Sequence, residues 1–195
     1  MFPGAYGAGA AHLRVRPHTM RLRFPGSEIT YWASRFAYSR KEDKLLSLRR
    51  SIQQAGYLSK PQLRLLAQWK APRSAQNVST NTPSYIREVT AFALTAHHER
   101  ARIETLTVLD GVRWPTASAV LHFFHKDKYP ILDFRALWSV GLDVPAQYSF
   151  DFWQPYVEFC RLAARRNSVS MREFDKALWQ YSKENQPPPR KAEED

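Results

Sequence analysis

Apolar positions along the chain recur at intervals of three and four residues. Leu45, Leu48 and Ile52 share one face of a predicted helix, and Gly56 follows as its stop. Leu63, Leu66 and Trp69 repeat the pattern up to the turn-forming "KAPRS". Tyr85, Val89, Phe92 and Ala96 predict a further helix, Ile103 and Leu106 another, and Phe152, Tyr156, Phe159 and Ala163 a long one. Ser170 and Glu173 have capping-box spacing, with Val169 and Phe174 placed as a hydrophobic staple. Strand-like alternation is nearly absent and no internal repeat is visible, so an all-α domain is predicted over residues 20–185. Residues 1–19, rich in Gly, Ala and Pro, and residues 186–195, "QPPPRKAEED", read as disordered tails. Met20 offers an alternative start.

One stretch departs from plain amphipathic helix. "ARIETLTVL" reads as a helix, "DGV" as a tight turn in which Gly111 supplies a positive φ, and Pro115 suits the first turn of the next helix. Ala117 and Ala119 let that second helix approach a neighbour closely. Helix, glycine turn, helix, over about residues 100–125, resembles the helix-hairpin-helix DNA-binding motif. Free N–H groups at such a turn and at the following helix start can hold a phosphate without reading sequence. Beyond it, the apolar "YPIL" leads to an isolated acid, Asp133, ahead of the helical "FRALWSVG". An acid there is a ready N-cap.

Charge sharpens this picture. The net charge is +11 and the pI about 10.0. Setting aside four arginines in residues 1–26 and one net negative charge in residues 186–195 leaves +8 on residues 27–185. The body itself is basic, which points to nucleic acid as partner. Lys41, Lys44, Arg49 and Arg50 line one predicted helix, and Lys70 and Arg73 flank a turn; some of these are expected to meet a DNA backbone. No apolar run is long enough to span a membrane, and a single cysteine, Cys160, excludes an internal disulfide framework and a four-cysteine iron–sulfur cluster. A cytoplasmic setting is expected, nucleoid-associated in a bacterium. His122 and His125 have zinc-compatible spacing without an evident third ligand, so no metal site is expected. Trp114 abuts the turn and is the aromatic best placed to meet DNA.

Gly111 precedes Asp133 by 22 residues. That layout resembles the helix-hairpin-helix DNA glycosylase superfamily, in which a hairpin of the form L-P-G-V-G is followed at about this spacing by an aspartate in the base-excision pocket. Leu109, Gly111, Val112, Thr116, Ala117 and Asp133 match, over roughly residues 100–141. The resemblance implies a bilobal helical bundle with the hairpin at the junction and Asp133 in the cleft between lobes. It implies phosphate contacts from Gly111, Val112, Arg113, Trp114 and Thr116, and a monovalent cation held by hairpin carbonyls. Two positions depart: Asp110 stands for the hairpin proline and Arg113 for its second glycine. Bifunctional members carry a nucleophilic lysine where this chain has Pro115, which cannot form a Schiff base. The resemblance therefore implies a monomeric, monofunctional glycosylase acting on duplex DNA, with Asp133 stabilising an oxocarbenium-like centre and orienting water. The alternative is a non-enzymatic DNA-binding module on the same scaffold, in which Asp133 is only a helix cap.

Overall fold

The computed structural model describes residues 20–188, and among these there is no strand. Of the expected tails at 1–19 and 186–195, residues 1–19 and 189–195 lie outside the described residues, while Gln186 is the C-cap of α9, its N–H donating to Ser182 O. Nine α-helices follow in order. They are α1 (Ile29–Ser34), α2 (Arg40–Ala55), α3 (Lys60–Lys70), α4 (Pro83–Thr95), α5 (Glu99–Leu106), α6 (Trp114–Phe124), α7 (Phe134–Ser139), α8 (Phe150–Arg166) and α9 (Met171–Asn185). Short 3-10 turns at Gly26–Glu28 and Ala75–Thr80 complete the described elements. Local chemistry sets the helix ends. Ser39, Thr82, Ser149 and Ser170 each accept a backbone N–H in the first turn, satisfying donors the helix cannot. Gly56 closes α2 with φ 76°, and Gly141 closes α7 with φ 78°. Gly141 N–H donates to Trp138 O and Leu142 N–H to Leu137 O, a Schellman pattern.

The helices pack in two groups. In one, α2, α3 and α5 pack on α6, with α4 against α3 and α5; in the other, α1, α7 and α8 pack on α9. α6 is buried along Thr116–Phe124, and Ala117 and Ala119 are fully covered, as their small size in a close crossing requires. The chain's first described residues belong to the second group. Arg21 N–H donates to Val140 O, Arg23 N–H to Ser139 O and Arg23 Nε to Trp138 O at 2.6 Å, which satisfies the last carbonyls of α7. Tyr181 Oη donates to Arg23 O from α9, and Met20, Phe24 and Ile29 are buried beneath.

Two sequence expectations are corrected. On α4 the buried face is Ile86, Val89, Thr90 and Ala93, while Tyr85 and Phe92 are exposed. The helix carries apolar residues on two stripes, and the packing against α3 and α5 takes the one with smaller side chains. At α9 only half of the capping box forms. Ser170 Oγ accepts Glu173 N–H, but the Glu173 carboxylate accepts the Thr30 hydroxyl of α1 instead of reaching back.

Candidate functional site

The α5–α6 connection is built around Gly111, whose φ is 78°. A Cβ at that position would lie 2.7 Å from Val78 N and 3.0 Å from Ser74 O, so the turn rests directly on the backbone that follows α3. Asn81 holds it from the side: Asp110 N–H donates to Asn81 Oδ1 at 3.1 Å, and Asn81 Nδ2 donates to Asp110 O at 3.0 Å. Thr80 Oγ1 donates to the Asp110 carboxylate, so the acid standing for the expected proline is a buttress. The N–H groups of Gly111 and Arg113 have no partner among the described residues. Both residues line a cavity of about 400 Å³, and Arg113 is exposed beside it. Val112 and Thr116, by contrast, are buried in the core, and Val112 N–H is spent on Leu109 O. Trp114 is half-buried, its ring 6.3 Å from that of core Trp153.

Asp133 is delivered by a segment fastened on every side. His122 Nδ1 donates to Tyr129 O, Ile131 N–H to Asp175 Oδ1, Tyr156 Oη to Ile131 O and Leu132 N–H to Ser118 Oγ. Tyr129, Ile131 and Leu132 are buried. The Asp133 side chain is 19% exposed. Its Oδ1 accepts Arg135 N–H at 3.0 Å, which makes it the N-cap of α7, and its Oδ2 accepts from Lys70 Nζ at 2.5 Å. Lys70 ends α3, so this ion pair joins the two helix groups. Arg73, paired with Lys70 in the sequence reading, is exposed, whereas the Lys70 side chain is 8% exposed and turned inward.

The pair stands in a cavity of about 560 Å³ walled by Phe36, Trp69 and Trp179. Its deeper side is a charged chain that crosses the molecule. Arg172 of α9 donates to Glu42 of α2 and, through Nη1, to Asp175 Oδ2 at 2.8 Å. The Arg172 guanidinium also lies over the rings of Phe36 and Trp69, at 5.3 and 5.9 Å from their centres. Burial pushes the Asp175 carboxyl up to about 6, and the nearby Asp133 adds to the rise while Arg172 and Lys70 oppose it. One oxygen of Glu42 is buried without a partner among the described residues. The cavity thus offers aromatic faces for a planar group, one carboxylate near solvent, an ammonium on that carboxylate, and a buried acid behind. Aromatic walls suit stacking, and a carboxylate released from its ammonium suits a developing cation.

Glu42, Arg172, Asp175 and Trp179 did not stand out in the sequence. The one available signal was Asp175, an acid between Phe174 and Leu178 on the inward face of α9. Among the described residues no group of three or more His, Cys, Asp or Glu is arranged to hold a metal. His122 and His125 are both buried; burial and Arg172 hold His122 down to about 3, so it is neutral. Burial pushes the Cys160 thiol well up, which makes it inert as a nucleophile. His97 and His98 are exposed. Among the described residues no helix is long and apolar enough to cross a membrane. No family model, curated protein or solved structure matches this chain.

Proposed function

We propose that the protein binds duplex DNA and excises a modified or mismatched base by hydrolysing its N-glycosidic bond. The observation that carries the reading is Asp133 in an aromatic-walled cavity, joined by a short segment to a turn with free N–H groups. Lys70 faces the cavity and Ser74 touches the turn, so only the three residues 71–73 separate the two contacts. Fully extended, that segment spans at most about 14 Å, a reach that suits one flipped nucleotide and a neighbouring phosphate. In this reading a backbone phosphate docks on Gly111 N–H, Arg113 N–H and the Arg113 guanidinium, and exposed Arg73 meets the strand beside it. The extruded base stacks among Phe36, Trp69 and Trp179. Asp133 faces the sugar, stabilises positive charge as the base leaves, and orients the attacking water. Lys70 must yield its hold on Oδ2 as the sugar arrives.

The test uses purified wild type and Asp133→Asn on duplexes carrying single defined lesions or mismatches, with alkali to convert abasic sites into breaks. Asparagine caps a helix as well as aspartate but leaves the nearly buried Lys70 without its counter-charge, so the variant's melting transition is checked beside wild type. Breaks with wild type and none with the variant support the reading. A second reading, a DNA-binding module without chemistry, is favoured by one feature: both Asp133 oxygens already have structural partners, the α7 backbone and Lys70. It predicts no breaks on any duplex and unchanged binding in the variant.

A further inference from the structure

A second cavity, of about 620 Å³, lies where α2, the α6–α7 segment, the end of α8 and the start of α9 meet. Six cations line it: Arg49, Lys126, Lys128, Arg161, Arg165 and Arg172. A single carboxylate, Asp127, stands among them, and it already accepts from Arg102 Nη1 at 2.6 Å. Arg172 is engaged by Glu42 and Asp175, but Arg49, Lys126, Lys128 and Arg165 have no ion pair among the described residues. Like charges gathered in a concavity repel one another unless an anion joins them. Two further groups point to a ligand. Arg161 is fixed by Glu99, by Lys128 O and by its stacking on Tyr129, yet its Nη2 is buried with no partner among the described residues. The neutral His122 ring also lines the cavity; with Nδ1 spent on Tyr129 O, Nε2 is left as an acceptor with no partner among the described residues. Ser170 and Met171 bring the N-terminal end of α9 to the same wall.

We propose that this cavity binds a phosphoryl group, its oxygens held by Lys126, Lys128, Arg161 and Arg165; a monoester or free phosphate also has a P–OH to donate to His122 Nε2, which a backbone phosphodiester lacks. Two or three anionic oxygens match the clustered donors better than a single carboxylate would. The group is either a backbone phosphate of bound DNA or the phosphate of a free ester. Arg172 forms part of this cavity and of the one holding Asp133, so occupancy here bears on the other site through one side chain. The inference stands on the cavity alone and does not require base excision.

The test compares three full-length proteins: wild type, Lys128→Ala/Arg165→Ala, and the charge-matched control Arg64→Ala/Arg87→Ala. All four substituted residues are exposed, so none removes core packing, and the control pair lines a different cavity, of about 690 Å³. Inorganic phosphate is titrated calorimetrically, and undamaged duplex DNA is titrated by anisotropy at fixed salt. The expected result is a loss of at least about tenfold for the cavity variant relative to the control on one probe or both. A selective loss on phosphate alone identifies a free ester as the source, and a selective loss on duplex identifies the DNA backbone. Equal behaviour of the two variants on both probes overturns the proposal, because net charge then accounts for all binding.

Discussion

Gly111 is confined from two directions. Its φ of 78° lies where an L side chain is strained, and a Cβ would press on the backbone of Val78. Strain of this kind costs about 1–2 kcal/mol, and a contact against backbone cannot relax as a flexible side chain would. Gly111→Ala should therefore lower stability by more than about 2 kcal/mol, read as a midpoint shift in chemical denaturation. A loss under 0.5 kcal/mol, on the order of a neutral surface change, would mean the turn moves freely off the 3-10 segment. Ser168 is the converse case. It holds φ 53° one residue past the C-cap of α8, where Ser168 N–H donates to Arg165 O and Val169 N–H to Ala164 O. This is the Schellman position that glycine usually takes, and Ser168→Gly should raise stability by about 0.5–1 kcal/mol, or roughly 2–3 °C in melting temperature. An unchanged or lowered melting temperature would show that the serine is not strained. Asp133 makes the third point at this scale. Its capping role was legible because the cap, Arg135 N–H, is two residues away; its ion pair with Lys70 was not, because 63 residues separate the partners.

At the scale of elements, the same division between local and distant partners decides what the sequence could reveal. The turn at Gly111, the proline start of α6 and the stop at Gly56 follow from backbone rules that act within a few residues, and each is found in place. The α4 face was misjudged because Tyr85 and Phe92 on one stripe and Ile86, Val89 and Ala93 on another both satisfy helical spacing; only neighbours choose between them. The Glu173 carboxylate was claimed by Thr30, 143 residues earlier, and no local rule could foresee that. The charged chain joining α2 to α9 is of this distant kind and has a pH signature. Asp175 binds its proton more tightly in the folded protein, at about 6, than in the unfolded chain, near 3.8. Its contribution to stability is thus highest below pH 4 and declines as pH rises through 6. Two units correspond to about 3 kcal/mol. Asp175→Asn keeps an acceptor for Ile131 N–H and removes this titration. Denaturation at pH 4 and pH 7 should show the variant gaining about 2 kcal/mol relative to wild type across that interval, since pH 4 already lies just above the unfolded value. A difference that stays constant with pH would place the Asp175 proton elsewhere.

For the whole molecule, the question is whether a charge of +11 acts as a diffuse cloud or through placed contacts. The two helix groups meet at Lys70 and Asp133; Arg73 is exposed three residues past Lys70, and Arg113 is exposed beside the Gly111 turn. If DNA docks there, each of these arginines neutralises one phosphate and releases its counterions. The logarithm of affinity then falls with the logarithm of salt by about 0.9 for each such contact. Arg73→Ala/Arg113→Ala should therefore flatten the salt slope for undamaged duplex by about 2 and weaken binding regardless of sequence. The double variant Arg64→Ala/Arg87→Ala removes the same net charge from another face. A diffuse field treats the two pairs alike, because it depends on the total charge and not on where each charge sits. Placed contacts flatten the slope for the first pair and leave it nearly unchanged for the second. Equal flattening in both would remove the junction as the DNA-binding face, and with it the route by which a flipped base would reach Asp133.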